Sequence, residues 1–172
     1  MPGSNAYQLS GLGHQAVEVD PSAPGTIIRW AFIFESLANL PFAVACFVYT
    51  REFMEYFVVD PSNITPVSLS FLQLVGVSTI MISVLMWLAI PNTRSGIESR
   101  RPTYYMLITA ETIMLSLWYY QGWVLGEEAS GLKKKGLEMA MMNIVPLVIF
   151  RGISLFFMPQ WFGRYRIKAK RS

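Results

Sequence analysis

Charge is what this chain has least of. Only 15% of its 172 residues are Asp, Glu, Lys or Arg, against roughly 25% in an ordinary soluble domain. It carries one cysteine and one histidine. A single cysteine excludes a disulfide scaffold. Cys46 and His14 cannot assemble a zinc or haem site, and they offer no Ser-His or Cys-His catalytic arrangement. Cys46, lying within an apolar run, reads as a packing residue. A phosphate-binding loop is also missing, since Gly11-Leu12-Gly13 is too short to be one. No redox, nucleotide or metal cofactor has an evident attachment.

The chain is instead rich in apolar side chains. Hydrophobic residues make up 53% and aromatics 14%, and the mean hydropathy is +0.38. This composition excludes disordered and collagen-like chains, and a soluble nucleic-acid binder as well, despite an isoelectric point near 9.1. Four runs are long enough to cross a bilayer, which takes about 20 apolar residues: 27–49, 67–90, 104–124 and 139–158. None alternates with period two, and all are too long for strands. The predicted fold is all-α, a four-helix transmembrane bundle over 27–158. Residues 1–26 contain no Lys or Arg and include Glu18 and Asp20, which fits neither a secretory signal nor a matrix presequence. They read as a disordered cytoplasmic tail, and 159–172 as a basic one.

Flanking cations orient the bundle. The termini and the second loop share Arg29, Arg94, Arg100, Arg101, Arg164, Arg166, Lys168, Lys170 and Arg171, whereas the opposite side has Arg51, Lys133, Lys134 and Lys135. The imbalance predicts that both termini are cytoplasmic. Asn63-Ile64-Thr65, a glycosylation acceptor pattern, falls on the predicted lumenal loop. The ending Lys168-Ala169-Lys170-Arg171-Ser172 resembles the dilysine retrieval signal of endoplasmic reticulum membrane proteins. An anionic leaflet would also attract such a basic segment, but its spacing from the end and its side favour retrieval. The lysines at 133–135 read as a solvated loop.

Ionisable residues inside the runs carry the functional signal. A charge at the bilayer centre costs at least ~2.5–3.5 kcal/mol, so it turns into the bundle and finds a partner. Glu35, Glu111 and Arg151 are such residues, each about 10–12 Å in from the cytoplasmic end of its run. One shared depth predicts one site. Helical phase adds Asn39 beside Glu35, and Tyr104 and Trp118 seven residues either side of Glu111. It also places Asn143 on the Arg151 side of the fourth run. Two carboxyls facing one guanidinium in a low dielectric cannot comfortably both ionise. One stays paired with Arg151 and the other holds a proton, giving an acid and a base in one pocket. Aromatic walls would suit a cationic transition state. A ligand-gripping site and a purely structural clamp use the same residues, and all three readings stand at this point.

The stretch Glu35-Ser36-Leu37-Ala38-Asn39-Leu40-Pro41-Phe42 resembles a helix of the EXPERA family of sterol isomerase and sigma-two receptor membrane proteins. That family's helix carries a Glu, an Asn or Gln four residues on, and then Leu-Pro-Phe. Pro146 after Asn143 and the Lys-rich ending are also similar. The resemblance implies a four-helix endoplasmic reticulum protein whose interior acids protonate a sterol double bond or bind an amine. Residue by residue it reaches Glu35 and Asn39 only. The family places this helix second rather than first, its first-helix acid has no counterpart here, and Glu111 and Arg151 are additions.

The expected activity is acid–base isomerisation, cyclisation or epoxide opening of a lipophilic isoprenoid, sterol or polyketide-like substrate, as in secondary metabolism. Glu35, Glu111 and Arg151 would be catalytic, and Asn39, Asn143, Trp118 and Tyr104 would bind substrate. The alternative is a non-enzymatic lipid or sterol receptor, or a scaffold subunit of another membrane enzyme. Expected partners are the bilayer, a hydrophobic small molecule, and a second copy or a partner membrane enzyme, with no nucleic acid.

Overall fold

The computed structural model describes residues 17–167 and is mostly helical. A short strand β1 (Val17–Val19) leads into α1 (Thr26–Val48), and α2 (Thr50–Phe57) follows almost at once. Next come α3 (Pro66–Ala89) and α4 (Arg94–Tyr119), the latter continuing through a π-helical stretch, Tyr120–Leu125. The short α5 (Gly126–Ser130), α6 (Lys134–Phe156) and strand β2 (Tyr165–Ile167) complete the order.

Local chemistry sets the helix starts. Thr65 caps α3 in a reciprocal capping box with Ser68, and Pro66 occupies the first turn, where its missing N–H is no loss. The Thr93 hydroxyl accepts from the Gly96 amide at 3.1 Å and so begins α4. Gly25, at φ 70°, swings the chain into α1 through a left-handed turn that other residues adopt at a cost.

Three helices, α1, α3 and α6, are long and apolar enough to span a membrane. With 26 residues α4 is the longest, but Thr103, Tyr104, Tyr105, Thr109, Glu111, Thr112 and Ser116 dilute its apolar character. It begins ten residues before the predicted run, because the polar segment from Arg94 onward is also helical.

The long helices pack in chain order, α1 on α3, α3 on α4 and α4 on α6. Gly76 makes the first contact close, since a Cβ there would lie 2.9 Å from the Cys46 Cβ. The apolar core contains Ile28, Phe32, Met86, Ala89, Tyr104, Leu107, Leu155 and Phe162. Within it Tyr104 meets Phe32 and Phe162 edge to face, at 5.2 and 5.1 Å between ring centroids. Outward faces carry large exposed side chains such as Phe34, Leu40, Phe71, Leu88, Ile113 and Phe156. Soluble monomers rarely expose contiguous apolar patches of this kind.

Both ends of the bundle are tied. At the terminal end β1 and β2 pair antiparallel, Val17 opposite Ile167 and Val19 opposite Tyr165. Residues 17–25, expected to lie within a disordered tail, therefore follow a defined course, with Asp20 and Ala23 buried. The same pairing gives the segment after Phe162 a structure that a merely basic tail would lack. The remainder of both tails, His14 and the Lys168/Lys170 pattern included, lies outside the described residues. At the opposite end the Lys133 ammonium donates to the Glu55 carbonyl at 2.7 Å, and Lys134 lies 5.0 Å from the Trp123 ring centroid. These two lysines of the expected solvated loop thus make specific contacts.

Candidate functional site

Glu35 on α1, Glu111 on α4 and Arg151 on α6 converge. The Arg151 Nη1 donates to both carboxylate oxygens of Glu111, and Nη2 donates to Glu35 Oε1. The Arg151 side chain is 1% exposed, with Glu111 at 10% and Glu35 at 14%. One fork-shaped guanidinium therefore joins three helices, a geometry for which Arg is suited and Lys is not. The Arg151 guanidinium carbon also lies 5.7 Å from the Tyr104 ring centroid. Buried polar neighbours complete the local inventory: Ser154 bonds back to the Phe150 carbonyl at 2.8 Å, and Ser36 to the Phe32 carbonyl at 2.6 Å.

The other expected site residues divide. Tyr104 is fully buried against the cluster. Among the described residues its hydroxyl and the Arg151 Nε are buried without a hydrogen-bond partner. Asn39, half-buried one turn along α1 from Glu35, donates to Ser83 at 3.2 Å. The Ser83 hydroxyl in turn donates to the Thr79 carbonyl at 2.9 Å, so this pair forms a second polar link between α1 and α3. Trp118 is half-buried, two turns beyond Glu111. Asn143 does not join the others: it is exposed and donates to the Met139 carbonyl one turn back at 2.8 Å. It also lies about 12 Å along α6 from Arg151.

Two cavities lie elsewhere. One of about 220 Å³ opens at the terminal end beside Arg101 and Arg164. The other, about 330 Å³, is a groove on α4 lined by Ile108, Thr109, Thr112 and Ile113. Neither is lined by Glu35, Glu111 or Arg151.

A second buried arginine escaped the sequence reading, which counted it as a surface cation. Arg100 is fully buried. Its Nε donates to the Ala89 carbonyl at 3.0 Å and its Nη1 to the Phe162 carbonyl at 2.8 Å. Its Nη2 reaches the Ile90 and Pro91 carbonyls and the Asn92 side-chain oxygen at 2.7–3.2 Å. These acceptors include carbonyls at the C-terminus of α3, which have no partner within the helix and favour a cation. Arg29 adds a bond from its Nε to the same Ile90 carbonyl at 2.9 Å. A signal for Arg100 was present. Ile97, Arg100, Tyr104, Leu107 and Glu111 follow helical spacing and form the buried face of α4.

Compared with protein-family models, curated proteins and solved structures, the chain matches none.

Proposed function

We propose that this is a four-span integral membrane protein of the endoplasmic reticulum, α4 being the fourth span and both termini cytoplasmic. Glu35, Glu111 and Arg151 form its acid–base centre, which isomerises or cyclises a lipophilic isoprenoid, sterol or polyketide-like substrate, or opens its epoxide. Two features support α4 as a span: it packs on both α3 and α6, and Glu111, the one charge in its stretch from Tyr104 onward, pairs with Arg151. The cation imbalance supports the orientation, and the resemblance around Glu35 and Asn39 supports the compartment.

One observation carries the chemistry: two carboxyls meet one guanidinium. A clamp needs one acid and one base. A second carboxylate would leave a net negative charge in a low-dielectric interior, which is costly. Charge balance is reached when the pair of acids holds one proton. A buried carboxylic acid next to an ionised one can protonate an alkene and take a proton back. The Tyr104 ring supplies an aromatic wall on the same guanidinium.

A second reading, a scaffold for another membrane enzyme in which the three charges only clamp the helices, is favoured by the lining of the two cavities, which includes none of the three; a non-enzymatic lipid receptor is the third outcome of the test. Solvent labelling separates these readings. Proteoliposomes carrying the wild type, Glu35→Gln, Glu111→Gln or Arg151→Gln are incubated in D₂O with a panel of lipophilic alkenes, and deuterium at carbon is read by mass spectrometry. Catalysis predicts labelling by the wild type and a loss of about 100-fold or more in a Gln variant that still binds the alkene. Equal labelling in both Glu variants sinks the two-acid mechanism, and binding without labelling by the wild type establishes the receptor.

A further inference from the structure

The cavity at the terminal end has a composition that the acid–base centre does not use. Two guanidiniums, from Arg101 on α4 and Arg164 after the Pro159–Phe162 turn, line it together with Ile97, Pro159 and Phe162. The Arg101 guanidinium carbon lies 5.6 Å from the Phe162 ring centroid, which holds this side chain against the apolar wall. Among the described residues neither Arg101 nor Arg164 has an ion-pair partner. Glu98 also lines the cavity, but it is occupied by Arg94 at 3.0 Å and by the Tyr165 hydroxyl. Arg100 and Arg166 are engaged as well, Arg100 with backbone carbonyls and Arg166 with Asp20 at 3.1 Å. The cavity therefore offers two uncommitted positive charges beside an apolar wall, at the end of the bundle where cations concentrate.

We propose that this cavity binds the phosphate headgroup of an anionic phospholipid of the cytoplasmic leaflet. Basic pockets between membrane helices on that side suit phosphate-bearing headgroups, and guanidinium forks match phosphate oxygens in pairs. The half-buried Pro159 at the rim would meet the glycerol, with Ile97 and Phe162 buried behind it. A free phosphate would use the guanidiniums and leave Pro159 without a contact. The inference rests on the membrane reading above, but not on the acid–base chemistry of Glu35 and Glu111.

The test uses the full chain. Alkaline extraction of membranes first shows whether wild type and variants are integral; release of the wild type would overturn both the membrane reading and the lipid site. Binding of dioctanoyl phosphatidate is then measured by isothermal titration calorimetry in a neutral detergent. Dioctanoyl phosphatidylcholine and inorganic phosphate are the comparison ligands. The site predicts saturable phosphatidate binding, weakened about thirtyfold by Arg101→Gln/Arg164→Gln and about fivefold by Arg164→Gln alone. The Arg164 side chain is exposed and makes no hydrogen bond or ion pair among the described residues, so the single variant tests the site without threatening the fold. Lys134→Gln/Lys135→Gln, at the other end of the bundle, leaves binding unchanged. Equal weakening by the two double variants, or inorganic phosphate binding as tightly as phosphatidate, would overturn the lipid site while leaving the membrane reading intact.

Discussion

Replacing Arg151 by Met keeps the bulk of the side chain and removes the charge that joins α1, α4 and α6. The residue is 1% exposed, and its guanidinium contacts both oxygens of Glu111 and one of Glu35. Removing one partner from a buried ion pair costs about 3–5 kcal/mol, because the opposite charge is left uncompensated. The 5.7 Å contact with the Tyr104 ring adds about 0.5–2 kcal/mol, part of which is the same desolvation counted twice. Arg151→Met is therefore expected to lose about 3–5 kcal/mol, measured by SDS titration in mixed micelles with helicity as the readout. The magnitude comes from the ionised carboxyl, which must stay uncompensated or take up a proton, rather than from lost attraction. Neutralising both carboxyls should then restore stability, so Arg151→Met/Glu35→Gln/Glu111→Gln is expected within about 2 kcal/mol of the wild type. A single variant within about 1 kcal/mol of the wild type, or a triple variant less stable than the single, refutes this reasoning.

Three other expectations follow from the same contacts. Arg100→Lys keeps a cation but loses the fork that serves four carbonyls and the Asn92 side chain; a loss of about 2–4 kcal/mol is expected in the same titration. Gly25→Ala forces a side chain into a left-handed turn where its Cβ would lie 2.2 Å from Arg100 Nη1; a loss of at least about 1–2 kcal/mol is expected, and a neutral result would contradict the close approach. Finally, the Ser22 hydroxyl and amide, aided by Arg166, hold the Asp20 carboxyl below the ordinary carboxylate range. A depressed value means that its contribution is present above the ordinary range and lost as pH falls through the depressed one. Protection of the Asp20 and Arg164 amides, whose N–H groups bond across the terminal segments, should fall on acidification once each rate is divided by the intrinsic rate at that pH, and Asp20→Asn should abolish that pH dependence.

Much of the bundle was legible because three of its helices are continuously apolar and long enough to span a membrane. The runs at 27–49 and 67–90 lie within one residue of α1 and α3 at both ends, whereas 139–158 starts five residues after α6 and ends two beyond it. The start of α4 was hidden because hydropathy records lipid contact, and the turns from Arg94 to Thr103 are helical without being apolar. The same blindness concealed Arg100. A cation bonded to backbone carbonyls has the same sequence signature as a cation in water, and only the helical phase linking it to Tyr104 and Glu111 separates them. The meeting of Glu35, Glu111 and Arg151 could be read from depth alone, since a costly charge must find its partner at its own level. Asn143 failed that test of place. Its amide satisfies itself on the preceding turn of α6, as short polar side chains do, so it needed no partner inside the bundle. The β1–β2 pairing was illegible because two three-residue strands carry too little alternation to register.

The central claim is that two carboxyls share one guanidinium and one proton in the membrane interior. Infrared spectroscopy of the carboxyl C=O stretch, in reconstituted membranes near neutral pH and with ¹³C-labelled glutamate, counts protonated carboxyls directly. The account predicts one protonated glutamate per chain in the wild type, none in Glu35→Gln/Glu111→Gln, and two in Arg151→Gln. A wild-type spectrum with no protonated carboxyl that responds to these substitutions would contradict it.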